Sequence, residues 1–161
     1  MAKVVLVDDE LTMVQAASEI LRQEGHEVFP FTHAGAAIDA IATHTPELVI
    51  TDLYLDKTQT HGLDVLQKAR SLNPPAVVIV ITGFASIATA VEAMKRGAFD
   101  YLEKPFKVDA LKLSVRRALS YGAAVTETVF LRQQLRKKYH FSQIVGNAPR
   151  MQEVFKMIER V

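Results

Sequence analysis

"VVLVDDE", residues 4–10, is the stretch on which the fold turns. Four apolar residues, three of them valine, run straight into Asp8, Asp9 and Glu10. A short, continuous, valine-rich run reads as a strand covered on both faces, the kind found in parallel sheets. Its charged end is the puzzle. Two unit charges about 4 Å apart repel by about 4 kcal/mol at an effective dielectric of 20. Three acids at the end of a buried strand therefore need a cation.

Similar runs recur along the chain. "LVI" (48–50) and "VVIVI" (77–81) are again continuous and rich in Val and Ile, so they read as inner strands. "EVFPF" (27–31) contains Pro30, which has no N–H to give a ladder and so marks an edge. "FDYL" (99–102) alternates more and suits the opposite edge. Helical patterns lie between. Met13, Ala16, Ala17, Ile20 and Leu21 form one stripe ended near Gly25, and Ile38, Ile41 and Ala42 mark a second, stopped before Pro46. Leu63, Leu66, Ala69 and Arg70 belong to a third, stopped by "NPP" (73–75), and Ile87, Val91 and Met94 to a fourth, stopped at Gly97. A fifth begins near Val108. Five strand–helix alternations predict a doubly wound α/β domain: a five-stranded parallel sheet of order 2-1-3-4-5, helices on both faces, over residues 1–121.

Composition sets the outer limits. The 161 residues are 49% apolar and 23% charged, ordinary for a globular chain, and can bury a sizeable core. Cysteine is absent, which excludes disulfides and thiolate metal sites and fits a reducing cytoplasmic location. The Met1 start lacks signal-peptide features, and no apolar run approaches a membrane span. The net charge of +1 hides an imbalance: residues 1–106 hold 8 Lys/Arg against 14 Asp/Glu, residues 107–161 hold 11 against 4. Two parts with different tasks are implied.

The fifth helical pattern runs past the compact domain. From Lys107 to about Lys138 there is no proline, and only Gly122 interrupts. Leu111, Val115, Ala118, Gly122, Val125 and Val129 alternate at spacings of four and three, a heptad-like seam that predicts a coiled-coil pairing linker over residues 122–140. The alternative is a terminal helix broken at "SYGAA" (120–124). Residues 141–161 change character again: "GNAP" is a turn signal, and Met151, Val154, Phe155 and Ile158 form an amphipathic stripe.

In a sheet of this order, ligands bind beyond the carboxyl ends of the strands, where strand order reverses. Asp8 and Asp9 lie at the first such end, Asp52 at the third, Thr82 at the fourth and Lys104 at the fifth. Hard carboxylate oxygens with few neighbours suit Mg²⁺, which keeps waters and takes phosphate oxygens. A lone Asp52 can serve as a nucleophile that becomes an aspartyl phosphate, with Lys104 and Thr82 toward the phosphoryl oxygens. Each residue singly has a blander explanation, Asp9 or Glu10 as a helix cap and the others as turn or strand-end residues. Together at four strand ends they point to one site.

These motifs, "VLVDDE", "VITDLYL", "VIVITG" and "DYLEKPF", resemble the receiver domains of bacterial two-component response regulators over about residues 3–121. The resemblance implies that Asp52 is the phosphoacceptor, that Asp8, Asp9, Asp52 and the Tyr54 carbonyl hold Mg²⁺, and that Thr82 and Lys104 bind the phosphoryl group. It also implies that Tyr101 is the switch aromatic coupled to Thr82 and that the Lys104–Pro105 bond is cis. Two departures stand out. The loop "LYLDKTQTHG" has Asp56 where the family usually has Pro and carries Gly62 about two residues late. Phe84, large and apolar near the site, together with Tyr54, is expected to tune phosphoryl lifetime by hindering the hydrolytic water. "IVGNAPRMQEVFKMIERV" resembles the opening of the AAA+ domain in NtrC-like, sigma-54-dependent activators, with Asn147 where Ser is commoner.

The implied partners are a sensor histidine kinase, a second copy through the face of the fourth helix, fifth strand and fifth helix plus the linker, and the chain's own AAA+ domain with sigma-54 RNA polymerase. DNA would be reached only through a C-terminal domain not present here, and a membrane not at all. No Walker-type phosphate loop occurs in these residues, so no ATPase activity is expected of them. Three other classes compete. A haloacid-dehalogenase-type phosphatase would want an acid where Tyr54 stands, a scaffold receiver would not need five site residues intact, and nucleic-acid binding would rest on "RQQLRKK" (132–138) alone.

Overall fold

The computed structural model describes residues 1–55, 61–83 and 87–145, with side chains through 136. Asp56, Phe84, Asn147 and the amphipathic stripe from Met151 lie outside them.

Five parallel strands, β1 (Lys3–Val7), β2 (Glu27–Phe31), β3 (Leu48–Thr51), β4 (Val77–Thr82) and β5 (Asp100–Glu103), form one sheet in the order β2-β1-β3-β4-β5. The connecting helices are α1 (Leu11–Gln23), α2 (Ala34–His44), α3 (His61–Ser71), α4 (Ile87–Lys95) and α5 (Val108–Val145). This is the predicted doubly wound fold. β1, β3 and β4 carry the valine-rich runs because both of their faces are covered, as the full burial of Val4 to Val7 and of Val77 to Ile81 shows. Residues on alternate sides fall into two cores. Val5, Val7, Val49, Val78 and Val80 pack with α2 and α3, while Val4, Leu6, Leu48, Ile50 and Ile79 pack with α1 and α5. Gly25 and Gly97 follow α1 and α4 with φ of +91° and +101°, the left-handed geometry that ends helices where glycine allows it.

Two helices add what the sequence reading left open or assigned differently. In α4, Ile87, Val91 and Met94 are exposed and the helix packs through Ala93. A nine-residue helix laid close on the sheet fits a small side chain there and leaves its larger apolar ones outward. In α5, Leu111, Val115 and Ala118 are buried on the sheet, so the first half of the predicted pairing seam belongs to the domain's own core. Val125 and Val129 are exposed. The helix does not break at "SYGAA". A Cβ on Gly122 would stand 2.8 Å from Val77 Cγ2, so glycine lets α5 lie close on β4. The chain divides into two compact units, Met1–Gly122 and Ala123–Val161.

Candidate functional site

The acids meet because the ladder carries them there. Val7 pairs with Thr51, and Asp8 and Asp52 each extend the ladder one step, Asp8 N–H donating to the Phe31 carbonyl and Asp52 N–H to the Val7 carbonyl, both at 3.2 Å. On the far side Lys104 N–H donates to the Thr82 carbonyl at 2.9 Å, which fixes Lys104 just beyond β5. Its ammonium reaches back to Asp8 Oδ2 at 2.6 Å, Asp52 Oδ2 at 3.0 Å and Glu10 Oε1 at 3.5 Å. Asp8 and Asp52 are both buried.

Each acceptor oxygen has a defined environment. Asp8 Oδ1 accepts the Glu10 N–H at 2.9 Å, and Asp52 Oδ1 accepts the Tyr54 N–H at 3.1 Å. Asp8 Oδ2 is buried and has only the ion-pair contact with Lys104, with no aligned hydrogen bond among the described residues. Burial raises the Asp8 carboxyl to about 6, assisted by the Asp52 charge and opposed by Lys104 and the Glu10 N–H. Burial acts to lower the Lys104 ammonium, but its bonds to Asp8 and Asp52 outweigh that, and it titrates above the ordinary lysine value. Lys104 stays charged.

Carboxylate oxygens of Asp8, Asp9 and Glu10 lie within 4.8 Å of one another. An all-oxygen set grading from buried Asp8 to exposed Glu10 fits a hard divalent cation that retains waters. Glu10 occupies the N-cap position of α1 yet makes no side-chain cap bond. Its side chain approaches Lys104 instead. The blander explanation of Glu10 as a helix cap therefore finds no side-chain cap bond in the structure.

The response regulator receiver domain family matches residues 4–116. The chain belongs to that family. It is 33% identical over 161 residues to the nitrogen assimilation regulatory protein NtrX of Azorhizobium caulinodans, covering 98% of this chain and 34% of that one. It is 32% identical to the regulatory protein AtoC of Escherichia coli, covering 96% and 33%. The crystal structure of NtrX from Brucella abortus in complex with ADP superposes with a TM-score of 0.75 at 36% identity, over 99% of this chain and 35% of that one. The chain thus spans about a third of the length of the curated relatives it matches.

In this receiver domain the structure gathers Asp8, Asp52 and Lys104 in direct contact, with Asp9 beside them. Thr82, fully buried, ends β4, next to the strand that Lys104 follows. Tyr101 is half-buried on β5, packed against the α2–α3 side of the sheet, and its hydroxyl lies 3.4 Å from Thr89 Oγ1 on α4. The Lys104–Pro105 bond is cis, and so is Asn73–Pro74. No described helix is long and apolar enough to cross a membrane.

Proposed function

We propose that Asp52 accepts a phosphoryl group from the phosphohistidine of a sensor kinase. A carboxylate oxygen of Asp52 forms the new O–P bond as the P–N bond breaks and the imidazole leaves. Asp8, Asp9, Asp52 and the Tyr54 carbonyl are the residues that hold Mg²⁺, whose chemistry is to neutralise the charge gathered on the phosphoryl oxygens. Lys104 and Thr82 bind those oxygens as well. The observation that carries this reading is the Lys104 ammonium set between the buried Asp8 and Asp52 carboxylates. A fixed cation beside the acceptor is the electrostatic preorganisation that phosphoryl transfer needs.

Tyr101 is the switch aromatic, answering movement of Thr82 toward the new phosphoryl group. The exposed Ile87, Val91 and Met94 of α4 support a pairing face made by α4, β5 and α5. The exposed apolar residues beyond Gly122 support a dimerising linker, domain 122–140, between receiver 1–121 and an AAA+ fragment 141–161. Tyr54 and Phe84 set phosphoryl lifetime by limiting access of water. In the longer protein the receiver controls its AAA+ domain and, through it, sigma-54 RNA polymerase in the cytoplasm, and DNA is bound by a further domain. The direct test compares association state with and without Mg²⁺ and beryllofluoride, for wild type and Asp52→Asn. A change in wild type alone is expected, and an equal change in Asp52→Asn contradicts the reading.

A further inference from the structure

The dipeptide Asp100–Tyr101 on β5 is tied to the helices on both sides of it. The Tyr101 hydroxyl faces Thr89 of α4. On the opposite side of the strand, Asp100 Oδ2 accepts the Ser114 hydroxyl of α5 at 2.6 Å, while Asp100 Oδ1 accepts the Tyr101 N–H at 2.8 Å. Ser114 is 3% exposed, and its neighbours on the helix, Leu111, Val115 and Ala118, are core residues. A hydroxyl placed in an apolar stripe weakens the packing of that stripe unless it has a partner, and here the partner is a carboxylate at short range. One side chain, Asp100, therefore links the backbone of Tyr101 to the helix that continues past Gly122.

We propose that Ser114 is a positioning residue that couples Tyr101 to α5, so that rearrangement at the switch aromatic is passed to the helix and its extension through Asp100. The inference rests on the proposed role of Tyr101. Apolar packing through Leu111, Val115 and Ala118 and an exposed Arg116–Glu24 ion pair also hold α5 on the domain, but the ion pair ties it to the end of α1 rather than to β5, and apolar contacts are non-directional and tolerate small slides. A short, charge-assisted hydrogen bond is directional and makes a shift of β5 felt at one point of α5.

The test uses the full 161-residue chain as wild type, Ser114→Ala, Asp100→Asn, the double variant and Ser114→Thr. Two quantities are read with and without Mg²⁺ and beryllofluoride: the NMR signals of the Tyr101 ring and the dimer dissociation constant. The expected result is that the Tyr101 signals shift in every protein. The beryllofluoride-induced change in dissociation constant falls at least threefold in Ser114→Ala and in Asp100→Asn, no further in the double variant, and stays at wild-type size in Ser114→Thr. A wild-type response in both single variants overturns the proposal, as do additive losses in the double. Should Ser114→Ala fail to fold, the contrast between Asp100→Asn and Ser114→Thr decides it on the same terms. Tyr101 signals that do not move in wild type instead overturn the switch reading, and a moving Tyr101 with no change in association overturns the transmission.

Discussion

Lys104 links two buried carboxylates that would otherwise repel each other, and burial holds the proton on Asp8 to a higher pH than on a free carboxyl. The Asp8 carboxyl stands at about 6 in the folded chain against an ordinary 3.8. Between these values the folded protein keeps a proton that the unfolded chain has released. The stability owed to this group is therefore present at low pH, lost as pH rises through the window, and absent above it. In chelator, Asp8→Asn is expected to melt higher than wild type at about pH 7.5, with the difference shrinking toward about pH 4. Adding Mg²⁺ should reverse the order by raising the wild type alone; thermal melts across pH check both. Lys104→Met removes the cation that competes for the same oxygens. Mg²⁺ affinity is expected to rise severalfold in a titration, while beryllofluoride no longer changes the association state.

At the scale of elements, α3 enters close against the acceptor. A Cβ on Gly62 would collide with the Asp52 carbonyl oxygen, and the Gly62 N–H donates to the Leu53 carbonyl at 3.1 Å. Gly62→Ala is expected to destabilise the domain by about 3 kcal/mol in urea unfolding, because backbone rather than a flexible side-chain end has to move. The strands were legible from sequence because burial on both faces forces unbroken Val and Ile runs, and the strand ends then placed Asp8, Asp52 and Lys104 together. Helix faces were less legible. In α4 the large apolar residues point outward and Ala93 inward, so periodicity found the helix without showing which side meets the sheet. In α5 one heptad-like seam serves the sheet through Ala118 and is exposed from Val125, a change of partner that leaves no mark in spacing. Ser114 and Asp100 escaped notice because a side-chain hydrogen bond between residues 14 apart has no local signature.

For the molecule as a whole, α5 is the element that runs on past the receiver domain, from Val108 to Val145. Beyond Gly122 it exposes Val125, Val129, Phe130, Leu131 and Leu135, an apolar density unusual for a solvated helix. Replacing Leu131 and Leu135 together by Ser is expected to weaken self-association roughly tenfold or more in sedimentation, since about 1.4 kcal/mol of lost burial suffices for that factor. Beryllofluoride engagement at Asp52 should be unchanged in that variant. The central claim, a divalent-dependent phosphoacceptor at Asp52, is tested most directly by incubating the chain with acetyl phosphate and Mg²⁺, then mapping the modified residue by mass spectrometry after borohydride reduction. One phosphoryl group per chain on Asp52, absent from Asp52→Asn and from samples with chelator, is the predicted result. Modification on another residue, or equal labelling of Asp52 without Mg²⁺, would contradict it.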